Sequence, residues 1–262
     1  EKLSVVKIGG NIVDNAEKLA VFIQQFTALK GVKILVHGGG KIATELSEKL
    51  GITTQLIDGR RVTTADSLEV VTMVYAGLIN KNLVAQLQAL HTNAIGLSGA
   101  DANLIQAQKR VHPSVDFGFV GDLNEHSVSA KQLKALLDAG LCPVFSAITH
   151  NGQGQLLNTN ADTMAQAIAT AISSVYEVSL VYSFEKKGVL SDVNNNDSVI
   201  PVINPENYAS LKASSQVNEG MIPKLDNAFE ALQKGVTRVI IGDALDIDQL
   251  IAGKAGTTIQ KK

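Results

Sequence analysis

Two apolar runs of this chain end on glycine-rich turns: VVKIGGN at residues 5–11 and VKILVHGGGK at residues 32–41. Each has the continuous apolar character of a buried strand, and the glycines follow Lys7 in the first run and His37 in the second. Because glycine has no Cβ, the backbone of such a turn can approach a ligand and present its N–H groups to an anion. A single turn of this kind could simply redirect the chain, but two of them favour a binding site for an anionic ligand.

The rest of the chain alternates β-type runs with helical patterns. Continuous apolar strands separated by helices are typical of a parallel sheet covered on both faces, where ligands bind at the carboxyl ends of the strands. The pattern therefore predicts an α/β fold with three layers, α/β/α, around an open, mainly parallel sheet. The predicted strands are 3–8, 32–37, 93–98, 142–148, 178–183 and 236–242, and the predicted helices are 16–31, 41–51, 129–139, 158–174, 205–214 and 224–235.

The middle of the chain is less regular. Residues 64–91 predict two helices, or one helix kinked near Gly77. Short β-type pieces at 104–111 and 116–123 predict a hairpin outside the main sheet. A boundary between two lobes is expected near residues 174–178.

Composition restricts the class of partner. The 262 residues have a formal net charge of −2, so neither nucleic acid nor an anionic membrane is an expected partner. A single cysteine, Cys142, cannot form an internal disulfide or a CxxC metal site. No apolar run approaches the roughly 18–20 residues that cross a bilayer. These features predict a cytoplasmic protein with small-molecule ligands.

The second glycine turn also allows a different class of enzyme. Gly38, Gly40 and Ala43 satisfy the permissive G-x-G-x-x-G/A dinucleotide fingerprint, and Asp58 follows about 20 residues later, where a ribose-binding acid is expected. A nicotinamide-dependent oxidoreductase is therefore an alternative, although that fingerprint does not require Lys7. A Walker A loop is absent, because no Gly-Lys pair is followed by Ser or Thr.

Seven motifs, taken in order, resemble those of the amino acid kinase family, and in particular of its members that phosphorylate N-acetyl-L-glutamate. The resemblance extends from residue 5 to about residue 242. The motifs are KIGGN (7–11), HGGG (37–40), GRRVT (59–63), GLSGADANLI (96–105), GFVGDL (118–123), NTNAD (158–162) and GMIPK (220–224).

The resemblance implies transfer of the γ-phosphate of MgATP to the side-chain carboxylate of N-acetyl-L-glutamate, a step of arginine biosynthesis. The Mg²⁺ is expected to arrive with the nucleotide, without a metal site on the protein. A carboxylate is already ionised at neutral pH and needs no general base, so catalysis reduces to bringing two anions together and neutralising developing charge.

Three catalytic residues are implied by the resemblance. Lys7 would stabilise the transferring phosphoryl group, Lys224 would do so from the nucleotide side, and Asp162 would position both lysines. From the residues alone, Lys7 could instead be a lysine snorkelling from a strand end, and Asp162 a helix N-terminal acid that complements the dipole.

The resemblance also implies two sets of binding residues. The acylglutamate contacts are Gly39, Gly40, Arg61 and Asn158, with Arg61 paired bidentately with the α-carboxylate. The nucleotide contacts are Gly9, Gly10, Ser183 and Gly188. Arg60 is expected to be solvated or to lie at an interface, and His37 to be a structural hydrogen-bonding group, because the chemistry gives it no proton to move.

One segment departs from the family pattern. YSFEKKGVL (182–190) has Phe184 and Glu185 where a small turn led by Asp is expected, and Ala100 stands where Lys is more common. A non-catalytic relative that only binds ligand is therefore a further alternative. The acyl acceptor is also open, because N-succinylglutamate or N-acetylaminoadipate would need only local changes in the pocket.

Finally, the resemblance implies an N-lobe over residues 1–175 for acylglutamate binding and dimerisation, and a C-lobe over residues 176–262 for ATP binding. Arginine-inhibited relatives carry an extra N-terminal helix that helps to build hexamers, whereas this sequence begins directly at the first strand. A homodimer without arginine feedback is the expectation.

Overall fold

The computed structural model describes residues 1–57, 60–192, 194–213 and 221–261. Within these residues the strands are β1 (Lys2–Ile8), β2 (Val32–His37), β3 (Gln55–Ile57), β4 (Arg60–Val62), β5 (Ala94–Leu97), β6 (Gln108–Lys109), β7 (Val120–Asp122), β8 (Cys142–Ser146), β9 (Ile148–His150), β10 (Leu156–Thr159), β11 (Glu177–Phe184), β12 (Val202–Ile203), β13 (Arg238–Asp243) and β14 (Thr257–Ile259). The α-helices there are α1 (Gly10–Val13), α2 (Ala16–Ala28), α3 (Gly40–Lys49), α4 (Ala65–Thr72), α5 (Asn80–Ala89), α6 (Ala130–Asp138), α7 (Ala161–Ile172), α8 (Pro205–Ala213), α9 (Ile222–Gln233) and α10 (Ile247–Ile251).

The central sheet has eight strands in the order β12-β14-β13-β11-β1-β2-β8-β5. Every neighbouring pair is parallel except β13 with β14. The register aligns the carboxyl ends of β1 and β2, because Lys7 pairs with Val36 and Ile8 with His37. The prediction of an open, mainly parallel sheet is confirmed, and the two glycine turns follow neighbouring strands.

Side chains of β1 alternate between two apolar layers. Leu3 and Val5 belong to the cluster that contains α6, α7 and α9, whereas Val6 and Ile8 belong to the cluster that contains α2, α4, α5 and α10. All four side chains are at most 1% exposed. Burial of apolar area on both faces of the sheet stabilises the three-layer arrangement.

A smaller sheet with the order β6-β7-β10-β9 lies outside the central one. Its β6 and β7 pair antiparallel, with Gln108 opposite Asp122, as the predicted hairpin requires. The run 142–148, however, is not one strand. It divides at Ala147 into β8 of the central sheet and β9 of the smaller sheet, because the N–H of Thr159 on β10 donates to the Ala147 carbonyl at 3.0 Å.

The helix predicted over 158–174 begins later than expected. Leu156–Thr159 form strand β10, and Asn160 caps the helix by accepting hydrogen bonds from the N–H groups of Asp162 and Thr163. Helix α7 therefore starts at Ala161. This cap fixes Asp162 in the first turn of a helix that packs on β1.

The long helical stretch is broken as predicted near Gly77. Helices α4 and α5 are joined by a π-helical segment, Met73–Ile79, which contains that glycine. The side chains of Tyr75 and Ile79 are buried and lie against the second glycine turn. Such π-helical segments occur frequently at functional sites.

Other differences are confined to short elements and helix ends. The helix predicted over 16–31 ends at Ala28, a 3₁₀ turn at Asp101–Asn103 lies in the loop after β5, and β14 was not predicted. In the part of the chain that the structure describes, no helix is both long and apolar enough to cross a lipid bilayer.

Candidate active site

A cavity of about 230 Å³ lies at the carboxyl ends of β1 and β2. Lys7 and Gly10 line it from the first turn, and Gly38, Gly39 and Gly40 from the second. Further walls come from Arg60, Arg61, Tyr75 and Asn158. The cavity therefore collects residues from both glycine turns, from β4, from β10 and from the π-helical segment.

An ion pair lies at this edge of the sheet. The Nζ atom of Lys7 is 2.7 Å from Oδ1 of Asp162, and the two side chains are 18% and 29% exposed. Burial raises the pKa of the Asp162 carboxyl, but the charge and hydrogen bond of Lys7, together with the charge of Lys224, outweigh it and leave the pKa below its usual range. Asp162 is therefore a carboxylate at neutral pH.

Lys224 also acts on the Asp162 carboxylate through its charge. It lies in the first turn of α9, and its Nζ atom is 5.1 Å from the centroid of the Phe184 ring. Phe184 is the last residue of β11, the strand that pairs with β1. The structure thus brings Lys7, Asp162 and Lys224 together from three separate elements.

The first glycine turn is tied to the end of β11. The N–H of Gly9 donates to the Ser183 carbonyl at 2.9 Å, and the Ser183 hydroxyl donates to the Lys7 carbonyl at 2.8 Å. These groups hold the strands together, whereas a Cβ placed on Gly10 would meet no atom within 4 Å. Gly188 lies apart from this turn and packs against β14, because a Cβ there would be 2.8 Å from Thr257 Oγ1.

His37, the last residue of β2, forms hydrogen bonds that hold the second glycine turn. The ring is fully buried, with Nδ1 2.9 Å from the Gly38 carbonyl and Nε2 3.0 Å from Nδ2 of Asn80. Burial lowers the pKa of His37 to about 4, so the ring is neutral at neutral pH. Nδ1–H therefore donates to Gly38, and Nε2 accepts from Asn80.

Gly39 requires the absence of a side chain. Its φ is +157°, and a Cβ at this position would overlap the side chain of Ile79. Gly40 begins α3, and its carbonyl accepts from Nη2 of Arg61 at 2.9 Å. The conformation of the turn is thus set by packing against Ile79 and by the hydrogen bond from Arg61.

Arg61 is 8% exposed and its guanidinium is engaged within the protein. Besides its bond to Gly40, Nη2 donates to Thr44 Oγ1 at 2.6 Å, and Nη1 donates to Thr54 Oγ1 at 2.9 Å. Both hydrogens of Nη2 therefore have acceptors. A bidentate pair with a ligand carboxylate would have to displace one of them.

Arg60 also faces the cavity, although the sequence suggested a solvated or interface residue. It is partly buried, and no hydrogen bond or ion pair to another described residue engages its guanidinium. Burial, and then the charge of Arg110, lower the pKa of Arg60, and the charge of Asp122 opposes that change. The cavity therefore contains one guanidinium engaged by the protein and one without a partner among the described residues.

Asn158, the last of the predicted acylglutamate contacts, lines the cavity from β10. It is 9% exposed on β10, and its Nδ2 donates to Thr63 Oγ1 at 3.1 Å. Sequence patterns did not identify Tyr75 or Asn80 as site residues, because both lie inside a helical stretch without a distinguishing motif. Only the packing of that stretch on the second glycine turn reveals them.

Three predicted positions lie outside the described residues: Asp58 of the dinucleotide fingerprint, Gly59 and Gly220. Among the residues that the structure describes, no group of three or more His, Cys, Asp or Glu side chains could hold a metal ion.

The chain belongs to the amino acid kinase family, whose model matches residues 2–243. Among curated relatives, it is 53% identical over 252 residues to an acetylglutamate kinase of Cytophaga hutchinsonii, an alignment that covers 96% of this chain and 95% of the relative. It is 50% identical to an acetylglutamate kinase of Phocaeicola vulgatus, over 100% of this chain and 99% of that one.

Solved structures share this fold. A Streptococcus mutans UA159 protein, known from its crystal structure, superposes with a TM-score of 0.79 at 26% identity, covering 99% of each chain. Carbamate kinase of Giardia lamblia superposes with a TM-score of 0.71 at 14% identity, covering 100% of this chain and 99% of that chain. At that identity the similarity shows a shared fold alone.

Proposed function

We propose that this chain transfers the γ-phosphate of ATP to the side-chain carboxylate of N-acetyl-L-glutamate, forming an acyl phosphate and ADP in arginine biosynthesis. The observation that carries the proposal is the Lys7–Asp162 ion pair at the meeting point of two glycine turns. Full-length relatives that are 50% and 53% identical and are named acetylglutamate kinases support it.

The reaction needs positive charge and no proton acceptor. The substrate carboxylate attacks the γ-phosphorus, a new C–O–P linkage forms, and the bond from that phosphorus to the β-phosphate oxygen breaks. Lys7 offsets charge on the transferring group, Lys224 does so on the nucleotide side, and Asp162 holds Lys7 in place. No described residue of this chain is assigned to hold Mg²⁺, which would arrive with the nucleotide and supply positive charge to its phosphates.

The substrate sites lie on opposite sides of Lys7 in this proposal. Gly39, Gly40, Arg61 and Asn158 hold the acylglutamate, and Gly9, Gly10, Ser183 and Gly188 belong to the nucleotide side. The open space beside Gly10 supports a close approach of phosphate there. Ser183 and Gly188 act through the backbone in this arrangement, because the Ser183 hydroxyl is bonded to Lys7 and Gly188 packs on Thr257.

The strand order supports a division into two lobes. Strands β11 to β14 all lie on one side of β1 in the central sheet, and β2, β5 and β8 lie on the other side. We assign residues 1–175 to an acylglutamate-binding and dimerising N-lobe, and residues 176–262 to an ATP-binding C-lobe. The two lobes would meet at β1, which supplies Lys7.

We also propose a homodimer in the cytoplasm. The π-helical segment of the N-lobe exposes two large apolar side chains, Met73 and Leu78, each 54% exposed. Apolar surface on one element is a suitable centre for a subunit interface. Leu78→Glu should convert a dimer into a monomer in sedimentation velocity.

The position of Arg60 favours a second phosphoryl acceptor, N-succinylglutamate, for the same reaction. A partly buried guanidinium without an acceptor among the described residues is suited to bind a carboxylate. An N-succinyl group would bring such a carboxylate on the acyl end, whereas an N-acetyl group would not. Arg60→Ala should then lower kcat/KM for N-succinylglutamate more than for N-acetylglutamate.

A coupled ADP-release assay with a panel of acceptors tests the proposal. The panel contains N-acetylglutamate, N-succinylglutamate and N-acetylaminoadipate, each with MgATP. ADP release that depends on N-acetylglutamate supports the proposal, and a clear preference for N-succinylglutamate would select the second acceptor. Release with none of them would leave a ligand-binding protein without this activity.

A further inference from the structure

The end of β11 lies beside the catalytic candidates. Phe184 lies beside the first glycine turn, because a Cβ added to Gly9 would be 3.5 Å from Phe184 Cβ. The ring of the same residue lies 5.1 Å from the Nζ atom of Lys224. Phe184 therefore lies close to both the first glycine turn and Lys224.

We propose that Phe184 is a positioning residue that holds the ammonium group of Lys224 over its ring, ready to meet the phosphoryl oxygens of the nucleotide. The inference rests on the proposed kinase function, since it gives Lys224 a task that requires a fixed position. Distances of this kind lie within the range of an attractive cation–π contact.

Lys224 needs such a contact because its own helix does not favour it. A cation in the first turn of α9 faces the positive end of the helix dipole, and that turn contains no acidic residue. Asp162 is already paired with Lys7 at 2.7 Å and acts on Lys224 only at longer range. Within the described ranges, no carboxylate oxygen lies within 4.0 Å of Lys224 Nζ.

An aromatic ring suits this task better than a carboxylate would. The ring face attracts the ammonium through its quadrupole and leaves all three N–H groups free for phosphoryl oxygens. An aspartate at position 184 would place a negative charge close to the triphosphate and would compete with it for Lys224. The ring therefore orients the charge without neutralising it.

The neighbours of Phe184 hold its backbone position relative to the first turn. On one side, Ser183 bonds to Lys7 and Gly9. On the other side, Oε2 of Glu185 accepts from Nδ2 of Asn11 at 2.7 Å. Both flanks of Phe184 are thus anchored to the segment that carries Lys7.

A spectroscopic experiment tests the contact without relying on activity. In protein labelled with ¹³C-lysine, the ε-CH₂ signal that disappears in Lys224→Met belongs to Lys224. We expect this signal to be shifted upfield by the ring current in the wild type and in Phe184→Trp, and to return to the ordinary lysine position in Phe184→Leu. An unshifted signal in the wild type would overturn the proposed contact.

Kinetics then test whether the contact serves catalysis. Phe184→Leu should lower kcat by about tenfold and leave KM for the acylglutamate unchanged, whereas Phe184→Trp should restore most of the rate. In the Lys224→Met background, Phe184→Leu should cause no further loss. Phe229→Leu is the matched control. Phe229 lies on α9, the helix that carries Lys224, but its ring stacks on Tyr208, with ring centroids 5.0 Å apart. It should lower the melting temperature and leave kcat unchanged.

The outcomes separate this inference from the function on which it rests. Wild-type turnover in Phe184→Leu, or the same fold loss with and without Lys224, would overturn the positioning role. Absence of acceptor-dependent ADP release in the wild type would overturn the kinase proposal instead. In that case the ε-CH₂ signal still decides whether Phe184 holds Lys224.

Discussion

The pair of Lys7 and Asp162 joins the end of a strand to the first turn of a helix. The 2.7 Å contact keeps the carboxylate ionised, and that carboxylate in turn orients the ammonium group. A compact ammonium interacts with phosphoryl oxygens as a point charge. Because the charge of Lys224 also acts on Asp162, the three residues are electrostatically coupled. Removal of either lysine should therefore raise the pKa of Asp162.

Lys7→Ala and Lys224→Ala should each lower kcat by about 100-fold or more, because in the proposed mechanism each removes a cation that offsets charge developing in the transition state. KM for either substrate should change far less. Steady-state kinetics with the ADP-release assay measure both constants, and thermal unfolding checks that each variant is folded. Lys134→Ala is the control, since Lys134 pairs with Asp138 on the exposed face of α6. Near-normal turnover in either active-site variant would remove that lysine from the mechanism.

Arg61→Lys should raise KM for the acylglutamate strongly and leave KM for ATP nearly unchanged. The lysine retains the charge but cannot replace the bonds of the guanidinium to Gly40, Thr44 and Thr54. The loss should be similar for acetyl- and succinylglutamate, so the acyl preference of the parent is kept. A reversed preference would mean that Arg61 contacts the acyl end.

The sequence allowed some of these residues to be predicted, for identifiable reasons. Lys7, Asp162 and Lys224 lie in short motifs whose order along the chain is distinctive. The engagement of Arg61 by Gly40 and Thr44 could not be predicted, because it depends on how the β3–β4 hairpin folds back over α3. The exposure of the Arg60 side chain to the cavity follows from the same hairpin.

At the scale of the element, the turn after β2 depends on a buried neutral histidine. His37 links the Gly38 carbonyl to Asn80, and Asn80 also donates to the Val144 carbonyl of β8 at 2.9 Å. A proton on Nε2 would oppose the Asn80 amide donor. Protonation of His37 should therefore destabilise the turn.

His37 should make the stability of the protein depend on pH. Its pKa is about 4 when folded, below the ordinary value of about 6.5, so the unfolded chain binds more protons between these values. Stability from this group is fully present above about pH 6.5 and falls as the pH drops towards about 4, by about 3 kcal/mol in total.

Urea denaturation of the wild type and His37→Gln at about pH 7 and about pH 5 measures this contribution. The variant should be less stable at the higher pH but should lose less stability on acidification. Carboxylates titrate in both proteins, so the difference between the two slopes isolates His37. Equal slopes would contradict a buried neutral ring.

The prediction of elements succeeded for the long ones and missed several of the short ones. Strands β1, β2 and β11 are long apolar runs with clear ends. The three-residue strands β3, β4 and β14 are too short to show a period, and their pairing is set by distant segments. The division of residues 142–148 at Ala147 likewise depends on β10, which follows it in the chain.

At the scale of the whole molecule, a parallel sheet followed from the alternation of strands and helices, but its strand order did not. The order places β1 between β2 and β11, and so brings both glycine turns and Ser183 to one edge. Under the proposed function, both ligands would bind at the same edge of this single sheet, which runs through both proposed lobes. In that arrangement, β1 would set the distance between the two proposed sites.

Binding of ATP should stabilise the folded chain as a whole. MgATP at about 100 times its Kd should add about 2.7 kcal/mol to the free energy of unfolding, seen as a higher melting temperature. NAD⁺, NADH and NADPH should produce no such shift. Stabilisation by a nicotinamide nucleotide, with none from MgATP, would favour the dinucleotide fingerprint of Gly38, Gly40 and Ala43.

The central claim is that a side-chain carboxylate accepts the phosphoryl group, and the acyl phosphate product tests it most directly. Hydroxylamine converts an acyl phosphate into a stable hydroxamate that can be quantified beside ADP. With N-acetylglutamate and MgATP, we expect one hydroxamate for each ADP, and neither product in excess of background with Lys7→Ala. ADP release without hydroxamate, or at the same rate when the acylglutamate is omitted, would contradict carboxylate phosphorylation by this protein.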